Sequence, residues 1–270
     1  MMEIRPARLL PVIFASCSVL VRIMADPQFP PVEVTNHGER IIEWIRSSGG
    51  YVNPKIEIRR ALEDVPDSRV GMFTKGELAS KEKLFEIPRS CLITNAEDED
   101  WDDDDDEDDD SGSDDAMNCL TVRNLITEMK LAEISEYAPY VNYLNALPKS
   151  HLASAWSEDG KALLHRILED FSEEPLPPAP EDATNWIEYD WYGVCDGSTD
   201  PFEENAALMV VQRSMGAILI PLYDMMNHRN GPHLNTESNS VHEDVKIVKV
   251  RTTRAVSAGE ELYGSYNMCK

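Results

Sequence analysis

Apolar residues recur along this chain in two rhythms. Ile41, Ile42, Trp44 and Ile45 follow helical spacing behind Asn36 and Glu39, a capping-box pattern, and Gly49-Gly50 closes the segment. This helix is expected at the edge of a domain. Four short extended pieces follow, at 56–59, 70–74, 83–87 and 92–94. Helical spacing returns over 118–135 through Leu120, Leu125, Ile126, Met129 and Leu131. Further helices are predicted over 151–171 and 203–216, the second carrying Ala206, Ala207, Val210, Val211 and Met215. Residues 245–251 alternate in strand fashion, and 256–259 turn into a final strand. The Pro-rich stretches 26–35 and 172–182 read as linker and loop. No internal repeat occurs. A parallel α/β sheet needs regular strand–helix alternation, which is absent. The pattern predicts a mainly β domain with an α insertion, an α+β fold.

Charge changes the picture in one place. The 270 residues are 42% hydrophobic, enough to bury a core, yet the formal charge is -25. Residues 97–115 hold 15 of the 50 acids, which leaves 35 against 25 bases elsewhere, a balance of -10. That run repels itself and has almost no apolar content, so a disordered acidic insert is expected there. It reads either as a tolerated surface insertion or as an attractor for a basic partner. No cluster of bases exists to neutralise phosphates, so direct nucleic-acid binding is excluded and a basic protein partner suits the charge.

The start of the chain resembles a signal peptide. Arg5 and Arg8 precede an apolar stretch from Leu9 to Val21, and Ala25 offers a cleavage point before Asp26. Residues 1–25 are therefore expected to be a leader directing secretory-pathway or plastid entry. The alternative is an upstream extension on a cytoplasmic or nuclear protein. Thirteen apolar residues are too few for a stable membrane span. The five cysteines (Cys17, Cys91, Cys119, Cys195, Cys269) show no C-x-x-C spacing, so free thiols are expected and a zinc site is not. His228, His233 and His242 fit no metal pattern either, since Gly231-Pro232 breaks any shared helical face. Nothing fixes an oligomeric state.

The chemistry-bearing stretches are Ile220-Pro-Leu-Tyr-Asp-Met-Met-Asn-His228 and Glu260-Glu-Leu-Tyr-Gly-Ser-Tyr-Asn267. Supporting them are Ser68-Arg-Val-Gly-Met-Phe73, Gly76-Glu-Leu78, Leu84-Phe-Glu-Ile-Pro88, the Ser135 to Pro148 segment with its Pro139-Tyr140 step, and Gln212-Arg-Ser-Met215. Together they resemble the SET-domain methyltransferases, in particular the branch with the Rubisco lysine methyltransferases and the actin histidine methyltransferase. The resemblance spans roughly Ile41 to Tyr266. It implies a SET domain over 36–270, made of small curved β-sheets with a knot-like C-terminal crossing and a helical iSET insertion over 117–219.

The resemblance also implies S-adenosyl-L-methionine as methyl donor and a protein side-chain amine as acceptor, lysine in most of the family and histidine in a close branch. Tyr266 would be catalytic, its hydroxyl orienting the incoming nitrogen. Asn227 and His228 would hold the donor's adenine and amino-acid portions through main-chain groups and the Asn amide. Arg213 would pair with the donor carboxylate, because a guanidinium fork matches it bidentately. Ser68, Arg69, Val70 and Gly71 would run main-chain groups along the donor. Tyr263 would line the target channel or pack in the core, and Asp224 would be structural. Glu260 and Glu261, adjacent on a strand, point to opposite faces and are not expected to share a site.

Such chemistry needs a neutral amine, although a free lysine has a pKa of about 10.4. A dry channel beside a sulfonium favours the neutral form. Alignment supplies the rest, up to about 7–11 kcal/mol. Two departures stand out. Arg69 occupies a place where the family often has Gly, and Ser80-Lys-Glu-Lys83 replaces a Gly-Glu turn. The sequence also stops four residues after Tyr266, where the family continues into a segment covering the adenine and an all-helical domain. This raises a second expectation, a catalytically silent module that binds basic proteins through 97–115.

Overall fold

Helix α1 (Val34–Ser47) is the first element of the computed structural model, which describes residues 34–62, 65, 68–94, 119–147, 157–169, 187–215, 217–239 and 246–266. The leader, the acidic insert and the 172–182 loop lie outside the described residues. The helix is already under way at Val34, so Asn36 sits inside its first turn rather than capping it. Its end is as expected. Gly49 takes φ +85°, with Gly49 N–H on Arg46 O and Gly50 N–H on Ile45 O, the paired bonds of a Schellman close. Ile41, Ile42 and Ile45 form its buried stripe.

Two four-stranded sheets carry the domain. The first runs β1 (Tyr51–Val52), β4 (Lys83–Pro88), β9 (Ile247–Thr252), β8 (Thr236–Ser238), all antiparallel, with a register shift between Lys83 and Phe85. Alternation puts Val248, Val250 and Thr252 inward. The second runs β2 (Ile56–Arg60), β3 (Val70–Thr74), β10 (Glu261–Gly264), β7 (Asn227–His228). Its last pairing, β10 with β7, is parallel; the others are antiparallel. The extended piece at 92–94 makes a single bridge, Ile93 with Leu219.

Between β4 and β7 the described chain is helical apart from a small hairpin, β5 (Ser214–Met215) with β6 (Ile218–Leu219). Helix α2 (Cys119–Leu131) buries Val122, Leu125, Ile126 and Met129, while Leu120 and Leu131 fall off that stripe and face solvent. Helices α3 (Ala138–Ala146) and α4 (Glu158–Glu169) follow. A π-helical segment at Ile187–Val194 went unpredicted; its Trp191 is buried and donates to Ser198 O at 2.9 Å. Helix α5 (Pro201–Arg213) starts earlier than expected. Pro201 occupies its first turn, and Asp200 caps it by accepting from Phe202 N at 2.9 Å. Ala206, Ala207 and Val210 pack inward as the spacing predicts, but the helix stops at Arg213 because Ser214 already pairs in the hairpin. One continuous apolar core runs from α1 through both sheets to this helical block.

The expectation of free thiols is corrected for two cysteines. Cys119 and Cys195 form a disulfide, with Cα atoms 5.3 Å apart across 76 residues of sequence. The fold sets the start of α2 against the end of the π-helical segment, a proximity that no local spacing encodes. Cys91 is a buried free thiol whose pKa burial pushes up. Among the described residues no helix is long and apolar enough to cross a membrane.

Candidate active site

The two signature stretches meet in the second sheet. β10 lies between β3 and β7, with Tyr263 opposite Asn227 and Gly264 opposite His228. The chain reaches β7 from β6 through a 3-10 turn at Tyr223–Met225, entered by Leu222 at φ +69°. A left-handed, fully buried leucine is costly, and the surrounding core must hold it. Two side chains of the next segment also hold β10. Asn235 donates to Glu261 O and accepts from Tyr263 N, both at 2.8 Å, and Thr236 donates to Tyr263 O at 2.7 Å.

Beyond β10 the chain turns back over β7. Tyr266 N donates to His228 Nδ1 at 2.9 Å, and the two rings lie 5.1 Å apart. The Tyr266 hydroxyl donates to Met226 O. A cavity of about 310 Å³ opens beside it. Val70 and Asn227 supply its sheet wall, Tyr143 and Leu147 come from the end of α3, Gln212 and Arg213 from the end of α5, and Asp224, Met225 and Tyr266 complete it.

At the cavity's base is a charged pair. Asp224 Oδ2 accepts from Arg213 Nη1 at 3.0 Å and from the Tyr140 hydroxyl at 2.9 Å. The Asp224 side chain is 1% exposed, and its Oδ1 has no hydrogen-bond partner among the described residues. Burial raises the Asp224 pKa, and Arg213 works against that rise. Burial also opposes the Arg213 charge, but Tyr143, Asp224 and Tyr140 outweigh it and push its pKa above the ordinary value. Tyr140, Tyr143 and Tyr266 are all raised, chiefly by burial, so each keeps its phenolic proton at neutral pH.

Behind the sheet wall is a second polar cluster. Asn227 Nδ2 donates to Val70 O at 2.9 Å and to Glu261 Oε1 at 2.6 Å. Glu261 Oε2 accepts from Arg69 at 2.5 Å and from the Tyr263 hydroxyl at 2.6 Å. The hydrogen bond to Tyr263 raises the Arg69 pKa. Gly71 permits this packing. A Cβ there would sit 2.7 Å from Asn227 Nδ2 and nearer still to Glu261 Oε1.

The structure thus brings Val70, Arg213, Asn227 and Tyr266 to one cavity. His228 supports Tyr266 without lining that space, and Arg69 and Gly71 belong to the cluster behind the wall. Ser68 lies apart, its hydroxyl donating to Leu62 O at 2.7 Å. Two details differ from expectation. The Asn227 amide nitrogen, expected at the donor, has both N–H bonds engaged by Val70 and Glu261. Arg213 already has an internal anion in Asp224. Glu260 and Glu261 diverge as expected, Glu260 pairing with Arg254. Tyr140 and Tyr143 received no role from the sequence, although their three-residue spacing puts them on one helix face. Gln212 and Glu261 sit inside recognised stretches but carried no distinguishing signal.

The fold and this site define the class. The SET domain family model matches residues 69–267, and the chain belongs to that family. Among solved structures, the SET domain of LSMT bound to lysine and AdoHcy superposes with TM-score 0.51 at 12% identity, covering 88% of this chain and 55% of that one. Rubisco LSMT bound to AdoMet gives 0.50 at 13% identity, covering 87% and 53%. Rubisco LSMT bound to sinefungin and monomethyllysine gives 0.50 at 12%, covering 87% and 53%. At these identities the likeness establishes the fold. The chain spans a little over half the length of these structures. No curated protein matches it by sequence.

Proposed function

We propose that this chain is an S-adenosyl-L-methionine-dependent protein methyltransferase that modifies a lysine side chain. The observation that carries the reading is the β7–β10 pairing, which sets Asn227 and Tyr266 on one cavity floored by Arg213 and Asp224. The residues fit such a donor. Its methionine end carries a carboxylate, and the cavity presents the Arg213 guanidinium, with the Asp224 carboxylate buried against it. Arg213 would hold the carboxylate, with the main chain at Val70 and Asn227 alongside. When bound, the donor supplies an electrophilic methyl group on a cationic sulfur.

The chain's own residues do the rest. Tyr266, protonated and resting on Met226 O, offers a hydroxyl that orients a nitrogen entering the cavity. Leu147 and Met225 add apolar surface to the lining, which a bound donor and substrate would close to water. Dryness lowers the pKa of an entering ammonium and favours the free amine. The acidic charge of the chain suits a basic protein as substrate.

The leader-like start and the Cys119–Cys195 disulfide both favour a protein that passes through an oxidising compartment on a signal-directed route. A fluorescent fusion carrying residues 1–25 should enter that route, and a cytosolic signal from it would refute the assignment.

Two measurements test the activity. S-adenosylmethionine should bind with micromolar affinity by calorimetry, and radiolabelled methyl groups should appear on lysines of proteins in an extract. The absence of binding heat favours the silent module instead. Tyr266→Phe should slow transfer by about 10²-fold, the usual cost of one oriented polar group at a reacting centre. Transfer at the wild-type rate removes Tyr266 from that role.

A further inference from the structure

We propose that Glu261 is the positioning residue of the cavity's sheet wall, acting through Asn227 on Val70, with Arg69 as its counter-ion. The inference rests on the reading of the cavity as a donor site. Val70 and Asn227 form that wall from β3 and β7, which are not neighbours, because β10 runs between them. Main-chain pairing is thin here. β10 meets β3 at Glu261 with Phe73 and Leu262 with Met72, and meets β7 at Tyr263 with Asn227 and Gly264 with His228. The β3–β10 ladder therefore stops at Met72, two residues short of Val70.

Side chains take over at that point. The Asn227 amide spans β10, one N–H on Val70 O and the other on Glu261 Oε1. Glu261 fixes the plane of that amide, because only a held acceptor on the far side keeps the first N–H aimed at Val70. The carboxylate is itself immobilised, since Arg69 and the Tyr263 hydroxyl occupy its other oxygen. Its side chain is 5% exposed, and a buried carboxylate persists only when its charge is matched and its lone pairs are used. Arg69 provides the matching charge. The residue that departs from the family pattern is thus the one that keeps this anion in place. Gly71 leaves room for the clasp, as the close approach of Glu261 and Asn227 to its missing Cβ demonstrates.

Titration of S-adenosylhomocysteine into wild type, Glu261→Gln, Arg69→Ala and the double variant tests this, with Glu260→Gln as control. Side-chain amide exchange of Asn227 is followed by NMR in parallel. Glu261→Gln should bind at least tenfold more weakly and release the Asn227 amide protons at least tenfold faster, whereas Glu260→Gln should stay within twofold in both. The double variant should match Glu261→Gln alone, because Arg69 touches only that carboxylate and the Tyr263 hydroxyl bound to it; multiplied losses would mean two independent effects and overturn the counter-ion role. If wild type binds and Glu261→Gln binds within twofold, the positioning role is overturned. If wild type does not bind, the donor-site reading fails and the exchange measurement alone judges the clasp, with unchanged exchange overturning it. If Glu261→Gln does not fold, Arg69→Ala replaces it; threefold or greater weakening supports the clasp, and unchanged binding overturns it.

Discussion

His228 Nδ1 accepts the backbone N–H of Tyr266 at 2.9 Å, so the residue expected to touch the methyl donor instead holds the residue expected to touch the amine. The acceptor role fixes the tautomer, with the ring proton on Nε2. His228→Phe keeps a ring against Tyr266 but removes the acceptor. It should cost about 1 kcal/mol of stability, the scale of one net hydrogen bond. Methyl transfer should fall by a larger factor than the affinity for S-adenosylhomocysteine, because Tyr266 loses its orientation. Equal losses in both would place His228 at the donor directly.

The Arg213–Asp224 pair predicts a strong effect from a conservative change. Asp224→Asn keeps an oxygen for Tyr140 but leaves the Arg213 charge without its anion. Breaking a buried pair in this way costs about 3–5 kcal/mol. Urea unfolding at neutral pH measures it, and a loss under 1 kcal/mol would mean that water in the cavity compensates the Arg213 charge, whose side chain is 21% exposed.

Acid should weaken the fold through carboxylates on the first sheet's margin. Glu82 accepts from Ala79 N at 2.7 Å, from Lys55 at 3.0 Å and from Asn53 at 3.1 Å. These contacts, the Ala79 amide foremost, hold its pKa below the ordinary 4.5. A depressed folded pKa means stability that is present above 4.5 and lost as pH falls through the folded value. Asp224 has the opposite sign. Its raised pKa makes the folded state the better proton binder, so its contribution declines as pH rises from the acid side. Glu82→Gln should therefore destabilise the protein at pH 7 and matter little once Glu82 is protonated. Unfolding curves across that range decide, and a pH-independent difference would assign Glu82 a purely steric role.

Reducing the Cys119–Cys195 bond frees a loop of 76 residues. Chain entropy values such a closure at about 4–5 kcal/mol. Cys195→Ser and a dithiol reductant should each lower the melting temperature, and the reductant should have no further effect on Cys195→Ser. Peptide mapping without reduction should find 119 joined to 195. Both thiols alkylating freely in the native protein would contradict the bond.

Long periodic stretches were readable before any coordinates. The inward faces of α1, α2 and α5 follow from their spacing, as do β3, β4 and β9. The two-residue strands β1 and β7 carry no period at all, because two residues define none. They exist only as edges that longer strands recruit. The cavity was half legible. Asn227, Tyr266, Arg213 and Val70 lie in stretches with a family signature. The Tyr140–Asp224 bond and the disulfide join positions 84 and 76 residues apart, which no local pattern specifies. The Asn227 amide is ambiguous in sequence for a related reason: it suits a ligand or a neighbouring strand equally, and the geometry shows its nitrogen on Val70 and Glu261.

Because β10, nearly the last described segment, occupies an interior place in the second sheet, that sheet cannot close until residue 264 has left the ribosome. Until then β3 and β7 present bare edges, the kind of surface that recruits foreign strands. A chain cut before residue 261 would leave those two edges bare for good, and it should aggregate where the longer chain stays dispersed.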